Sequence, residues 1–127
     1  MISQASFLTY KQVNCLSEIF FETALEAAER LDAEYTATGI AGGPLHGLPV
    51  SLKDCFRVEA TDSAIGYTAF LNQPTAQGEE SEITNIMRQS GAILFCKTSV
   101  PLALMAGEVS SFRHNTRYYT SDLVIDI

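Results

Sequence analysis

Pro44-Leu45-His46-Gly47-Leu48-Pro49-Val50-Ser51-Leu52-Lys53-Asp54 holds the residues whose types and spacing could do chemistry. A turn punctuated by Gly47 and Pro49 runs into a short apolar stretch, Leu48 to Leu52, that reads as a buried strand. That stretch delivers a lysine and then an aspartate. A lysine ending an interior strand is costly unless something uses it, because desolvation disfavours the ammonium form. A free lysine titrates near ~10.4, so a base working at neutral pH must be lowered by about three units, roughly 4 kcal/mol. A dry pocket supplies such a shift. A salt bridge to Asp54, or an alkyl stem laid on the surface with its ammonium in water, requires none. On residues alone, both readings of Lys53 stand.

Other chemistries fit less well. Ile40 to Gly47 is glycine-rich and has the length of a phosphate loop, but the Gly-x-x-x-x-Gly-Lys-Ser/Thr spacing is missing. Lys53 follows Gly47 by six residues on a strand and not at a helix start, so nucleotide binding is rejected. Cys15, Cys55 and Cys96 are far apart and odd in number, which reads as reduced thiols in an intracellular protein. Neither His46 nor His114 has a cysteine or acidic partner at ligand spacing, so no metal and no cofactor are expected. A net charge of -7 with eight scattered basic residues argues against a nucleic-acid partner. No run approaches the roughly 20 apolar residues of a membrane span. Met1 to Phe7 lacks the basic start and apolar core of a secretory signal, so a cytoplasmic protein is expected.

The elements that must position Lys53 can be read from periodicity. Residues 14 to 35 are expected to form one amphipathic helix, with Leu16, Ile19, Phe20, Thr23, Ala24, Ala27, Ala28 and Leu31 on its apolar face. Glu18, Glu22, Glu26 and Glu29 fall on the other side as a solvated row, with Glu26 and Arg30 as an i,i+4 pair. After the Leu48–Leu52 strand comes a loop over 56–80. A helix follows, with Ser81 as its N-cap, Ile83, Ile86 and Met87 as its apolar face and Gly91 just past its end. Ala92 to Cys96 is an uninterrupted apolar run, as expected of a parallel strand covered on both faces. Ser99-Val100-Pro101 is expected to open another helix reaching Met105. This βαβα order is an α/β pattern with a parallel strand pair, and such sheets bind ligands beyond the carboxyl ends of their strands. Lys53 and the Lys97-Thr98-Ser99 turn both fall at that edge, so geometry alone nominates Lys53.

The block Gly43 to Asp54, continued through Gly91-Ala92-Ile93-Leu94-Phe95-Cys96-Lys97-Thr98-Ser99-Val100-Pro101 and preceded by Phe20-Phe21-Glu22-Thr23-Ala24-Leu25, resembles the amidase signature family. The likeness runs over about residues 15 to 108. Its Pro49-to-Phe56 wording most resembles the eukaryotic branch of acetamidases and fatty-acid amide hydrolases. The resemblance implies the N-terminal portion of an α/β/α sandwich with a mixed sheet, in a partial domain over 1–109, followed by a divergent tail over 110–127. It implies a C–N bond hydrolase acting on a small-molecule amide through a serine–cis-serine–lysine triad, with Lys53 as base. It further implies that Leu104, Met105 and Ala106 line the acyl side of the pocket, against the plainer reading of helix packing. Relatives that attach peripherally to membranes do so through elements outside this region.

The two serines of that triad sit in a glycine- and serine-rich block, and no Gly-Gly-Ser-Ser-Gly-Gly occurs in these 127 residues. Ser110-Ser111 is the only adjacent serine pair and lacks flanking glycines. The reading is therefore an amidase chain that carries the lysine alone and is inactive by itself. The alternative is a non-catalytic module that associates with full-length amidases or another partner, or with itself, through open sheet edges.

Overall fold

The computed structural model describes residues 15–105 and the backbone of two further short strands. In chain order the elements are β1 (Leu16–Ile19), α1 (Phe21–Thr38), β2 (Pro49–Lys53), α2 (Glu82–Gln89), β3 (Ile93–Thr98), β4 (Glu108–Ser111) and β5 (Thr116–Tyr119). Single 3-10 turns cover Thr68–Phe70 and Leu102–Leu104. The main sheet has the order β1-β3-β2, while β4 and β5 form a separate antiparallel hairpin.

β2 and β3 are parallel neighbours joined through α2, as the βαβ pattern requires. β1 adds to the other side of β3 antiparallel, which makes the sheet mixed. β3 is thus the central strand, and five of its six residues are buried. Its alternate side chains point to opposite faces. Ile93 and Phe95 meet Ala24, Ala28 and Leu31, the i, i+4, i+7 stripe of α1. Leu94 meets Leu52 and Val58 on the other face, with Val50, Phe56 and Met87 of α2 packed against them. Each fully buried aliphatic of this kind stabilises the fold by about 1.5–3 kcal/mol. The cores lie above and below one strand, giving the α/β/α layering.

Three local expectations are corrected. The expected helix over 14–35 is a strand followed by a helix. Leu16 to Ile19 alternate half-buried and exposed, and the ladder continues with Ser99 N donating to Cys15 O at 2.8 Å. Four residues can satisfy a helical stripe and a pleat equally well, and pairing with β3 decides. Phe20 then precedes the first turn of α1, and Arg30 pairs with Glu34 at 3.3 Å rather than with Glu26.

Ser81 does precede α2, but its Oγ accepts from Arg57 N at 2.8 Å instead of capping the helix. The buried residue of α2 is Thr84, whose Oγ1 donates to Arg57 O at 3.0 Å, while Ile83 and Ile86 are exposed. Gly91 ends this segment at φ +88, where a Cβ would lie 2.9 Å from His46 Cα. The third correction concerns Ser99 to Met105, which form no α-helix. Ser99 spends its N–H on β1, Pro101 is extended, and only the Leu102–Leu104 turn follows, with Ala103 and Leu104 at positive φ. A residue preceding proline is biased to extended backbone, which removes the first turn the helix would need.

Candidate active site

Lys53 is the last residue of β2, opposite Thr98 in the parallel register. Its neighbours Leu52 and Asp54 are each 3% exposed, but the Lys53 side chain itself is exposed. The dry surroundings expected of it are therefore not made by the described residues. Asp54, read as its salt-bridge partner, points elsewhere. Asp54 N donates to Thr98 O at 2.9 Å, and its Oδ2 accepts from Ile65 N at 2.7 Å. The strand end carrying Lys53 is thus pinned on either side, and the amine projects from it.

The buried lysine is Lys97. It lies inside β3 opposite Leu52 and has no exposed surface. Its Nζ donates to the Asp62 carbonyl and, at 2.9 Å, to Ser63 Oγ, with Asp54 Oδ1 3.9 Å away. Burial lowers its pKa. The carboxylates of Asp54, Glu18 and Asp62 work against that shift. Glu18 leaves the expected solvated row, because its Oε1 accepts from Asp62 N at 3.3 Å. Asp62 closes the loop in turn, its carboxylate accepting from Asn72 N at 2.7 Å and Gln73 N at 2.9 Å. Sequence reasoning overlooked Lys97, although its signal was the one used for Lys53: a lysine after an apolar run. The apolar run ends at Cys96, which puts Lys97 in a turn by sequence, whereas the strand continues to Thr98.

Two of the other residues expected at the site are described. Leu104 is 50% exposed and Met105 86% exposed, so they pack as no helix core and line no closed wall among the described residues. Ala106 and His114 lie outside the described residues. The turn bearing Leu104 is tied to the Lys53 end of β2 by two steps: Ala103 N donates to Ile65 O at 3.1 Å, and Ile65 N to Asp54. Ile65, Ala103 and Leu104 all hold positive φ, which is costly for residues with a Cβ, at about 1–3 kcal/mol each.

His46 Nδ1 accepts from Gly42 N at 3.1 Å, a loop-shaping role. Among the described residues no three His, Cys, Asp or Glu side chains gather as metal ligands. Cys15, Cys55 and Cys96 are free, and burial, with a further contribution from Cys15, pushes the Cys96 thiol up to about 12.

The sequence model of the family named Amidase matches residues 4–118. This chain belongs to the amidase family. A Saccharomyces cerevisiae protein named probable amidase is 42% identical over 113 residues, covering 89% of this chain and 20% of the relative. The acetamidase of Emericella nidulans is 42% identical over 95 residues, covering 75% of this chain and 17% of its own length. A solved structure of fatty acid amide hydrolase superposes with a TM-score of 0.74 at 28% identity, over 80% of this chain and 18% of that one. The chain therefore spans about a fifth of these relatives. Among the described residues, no helix is long and apolar enough to cross a membrane.

Proposed function

We propose that this amidase-family chain contributes the base of a serine–cis-serine–lysine triad that hydrolyses amide C–N bonds, and that Lys53 is that base. The observation carrying the reading is the placement of Lys53: the exposed last residue of a parallel strand, held between two pinned neighbours at the sheet edge where such folds bind ligands. In the reaction, the neutral amine takes a proton from the bridging serine, which takes one from the nucleophilic serine as its oxygen attacks the carbonyl carbon. The proton then passes back to the leaving nitrogen. Both serines come from polypeptide beyond these 127 residues, and so does the surface that would dry Lys53. Leu104, Met105 and Ala106 flank the acyl half of the amide, and the turn bearing Leu104 is linked to Asp54 through Ile65. The chain alone is inactive, and the division near residue 109 belongs to the same proposal. A cytoplasmic setting is proposed with it, on three free thiols.

The test replaces the matching segment of the Saccharomyces cerevisiae probable amidase with residues 15–108 of this chain. Hydrolysis of acetamide and of a long-chain fatty amide is then followed. Lys53→Ala should lower kcat by about 10²–10⁴-fold, the usual contribution of a general base. A hybrid whose turnover survives that change sinks the assignment.

A second reading has its own observation. Among the described residues no strand pairs with the outer edge of β2, whose backbone could take a strand from a full-length amidase or from another copy. On that reading the chain binds without catalysing, and the hybrid stays inactive while a discrete complex forms.

A further inference from the structure

We propose that Lys97 is the positioning residue for Lys53: its buried ammonium ties the loop that follows β2 back to the sheet and so fixes where the end of β2 points. The inference rests on the reading of Lys53 as a base. Lys97 touches no reacting atom in it.

Three observations carry the proposal. First, Lys97 has no exposed surface, on a central strand whose other residues are apolar or threonine, with Leu52 of β2 and Glu18 of β1 opposite it. A buried charge of this kind is weak evidence for stability, since a hydrophobe of similar volume often serves as well. The ammonium must be explained by what it holds. Second, every group it holds belongs to the 54–63 segment directly after Lys53: the Asp62 carbonyl, Ser63 Oγ and, further off, the Asp54 carboxylate. Third, the same groups continue outward. Asp54 fixes Ile65 through its amide, Ile65 fixes Ala103, and Glu18 of β1 fixes the amide of Asp62. One ammonium therefore couples β1, the end of β2, the loop and the turn bearing Leu104 and Met105. No buried polar side-chain atom among the described residues is left without a partner, so removing the ammonium would leave groups of this knot unpaired.

Lys53 benefits because its own side chain is exposed and, among the described residues, makes no hydrogen bond or ion pair. Its direction comes only from its backbone, which Leu52 and Asp54 hold on either side. A misplacement of about 1 Å at a reacting group costs on the order of 10²-fold in rate.

The test has two parts. In the 127-residue chain, Lys97→Met and the milder Ser63→Ala are compared by amide hydrogen exchange. Exchange at the Asp54 and Ile65 amides should accelerate at least about tenfold, while Ile93, bonded to Leu48 at the opposite end of the strand pair, stays unchanged. Uniform acceleration at all three sites would mean general loosening and would overturn the proposal. In the hybrid amidase, Lys97→Met should lower kcat per folded molecule by about 10²-fold with KM within about twofold. Ser63→Ala should do the same to a smaller degree, and it decides the matter should the Met variant not fold. Unchanged kcat in a folded variant, beside a dead Lys53→Ala, removes Lys97 from positioning and leaves the base assignment intact. Activity retained in Lys53→Ala removes the base assignment instead.

Discussion

Two lysines sit one register step apart, Lys53 closing β2 and Lys97 inside β3, and their surroundings are opposite. Lys53 ends an edge strand and its side chain is exposed. Lys97 is on the central strand, where β1 and β2 take both sides and helices and loop take both faces, and it is fully buried. Burial follows the position of the strand in the sheet more than the hydrophobicity of the run leading to the lysine. The comparison also separates two uses of one chemistry. A projecting amine is free to exchange protons with a ligand, whereas an ammonium with its donors engaged can only hold other groups in place.

The largest difference should appear in stability. Lys97→Ala strands the Asp54 carboxylate, the Asp62 carbonyl and Ser63, and losing one partner of a buried pair costs about 3–5 kcal/mol. Lys53→Ala, at an exposed site, should stay within about 0.5 kcal/mol. Urea unfolding of the two variants reads this directly, and equal midpoints would erase the distinction between the lysines.

Asp54→Asn sharpens the comparison from the acid side. It keeps an acceptor for Ile65 N but removes the charge facing Lys97, so about 1–3 kcal/mol should be lost. An Asp54→Asn, Lys97→Met double variant should lose less than the sum of the singles, because the two groups share one network. Strict additivity would place them in separate ones.

Reductive methylation separates the lysines without a mutation. Lys53 should be modified in the folded chain and Lys97 only after unfolding, as peptide mapping would report. Modification of Lys97 under native conditions would contradict its burial.

The smallest effect is in pH dependence. Lys97 has a lowered pKa in the folded state, so between that value and 10.5 the unfolded chain binds the extra proton, and this group makes stability rise with pH. Cys96 is raised from 9.0 to about 12, so between those values the folded chain keeps the proton and stability falls as pH rises. Between pH 9.0 and 10.5 the two oppose each other. Lys97→Met should steepen the alkaline fall in the urea midpoint and Cys96→Ala should flatten it. Lys53→Ala serves as the reference.

Much of this molecule was legible from its residues. The turn before β2, the parallel β2–α2–β3 unit and the placement of Lys53 at a carboxyl strand end all follow from periodicity and glycine or proline punctuation. Those signals act over a few residues, so sequence carries them. The family follows as well, because the blocks around Lys53 and Ile93 are specific in order and spacing. What sequence did not carry are the outcomes of long-range pairing. Leu16 to Ile19 became a strand because β3 offered an open side, 80 residues away in the case of Ser17 and Lys97. Ser99 spent its amide on that same strand, and the helix expected after it never started. Asp54 turned from its sequence neighbour Lys53 to Lys97, because a buried carboxylate goes where a buried cation and a free amide await it. Residue types set which groups would need partners, and only the packing of three strands decided which partners they found.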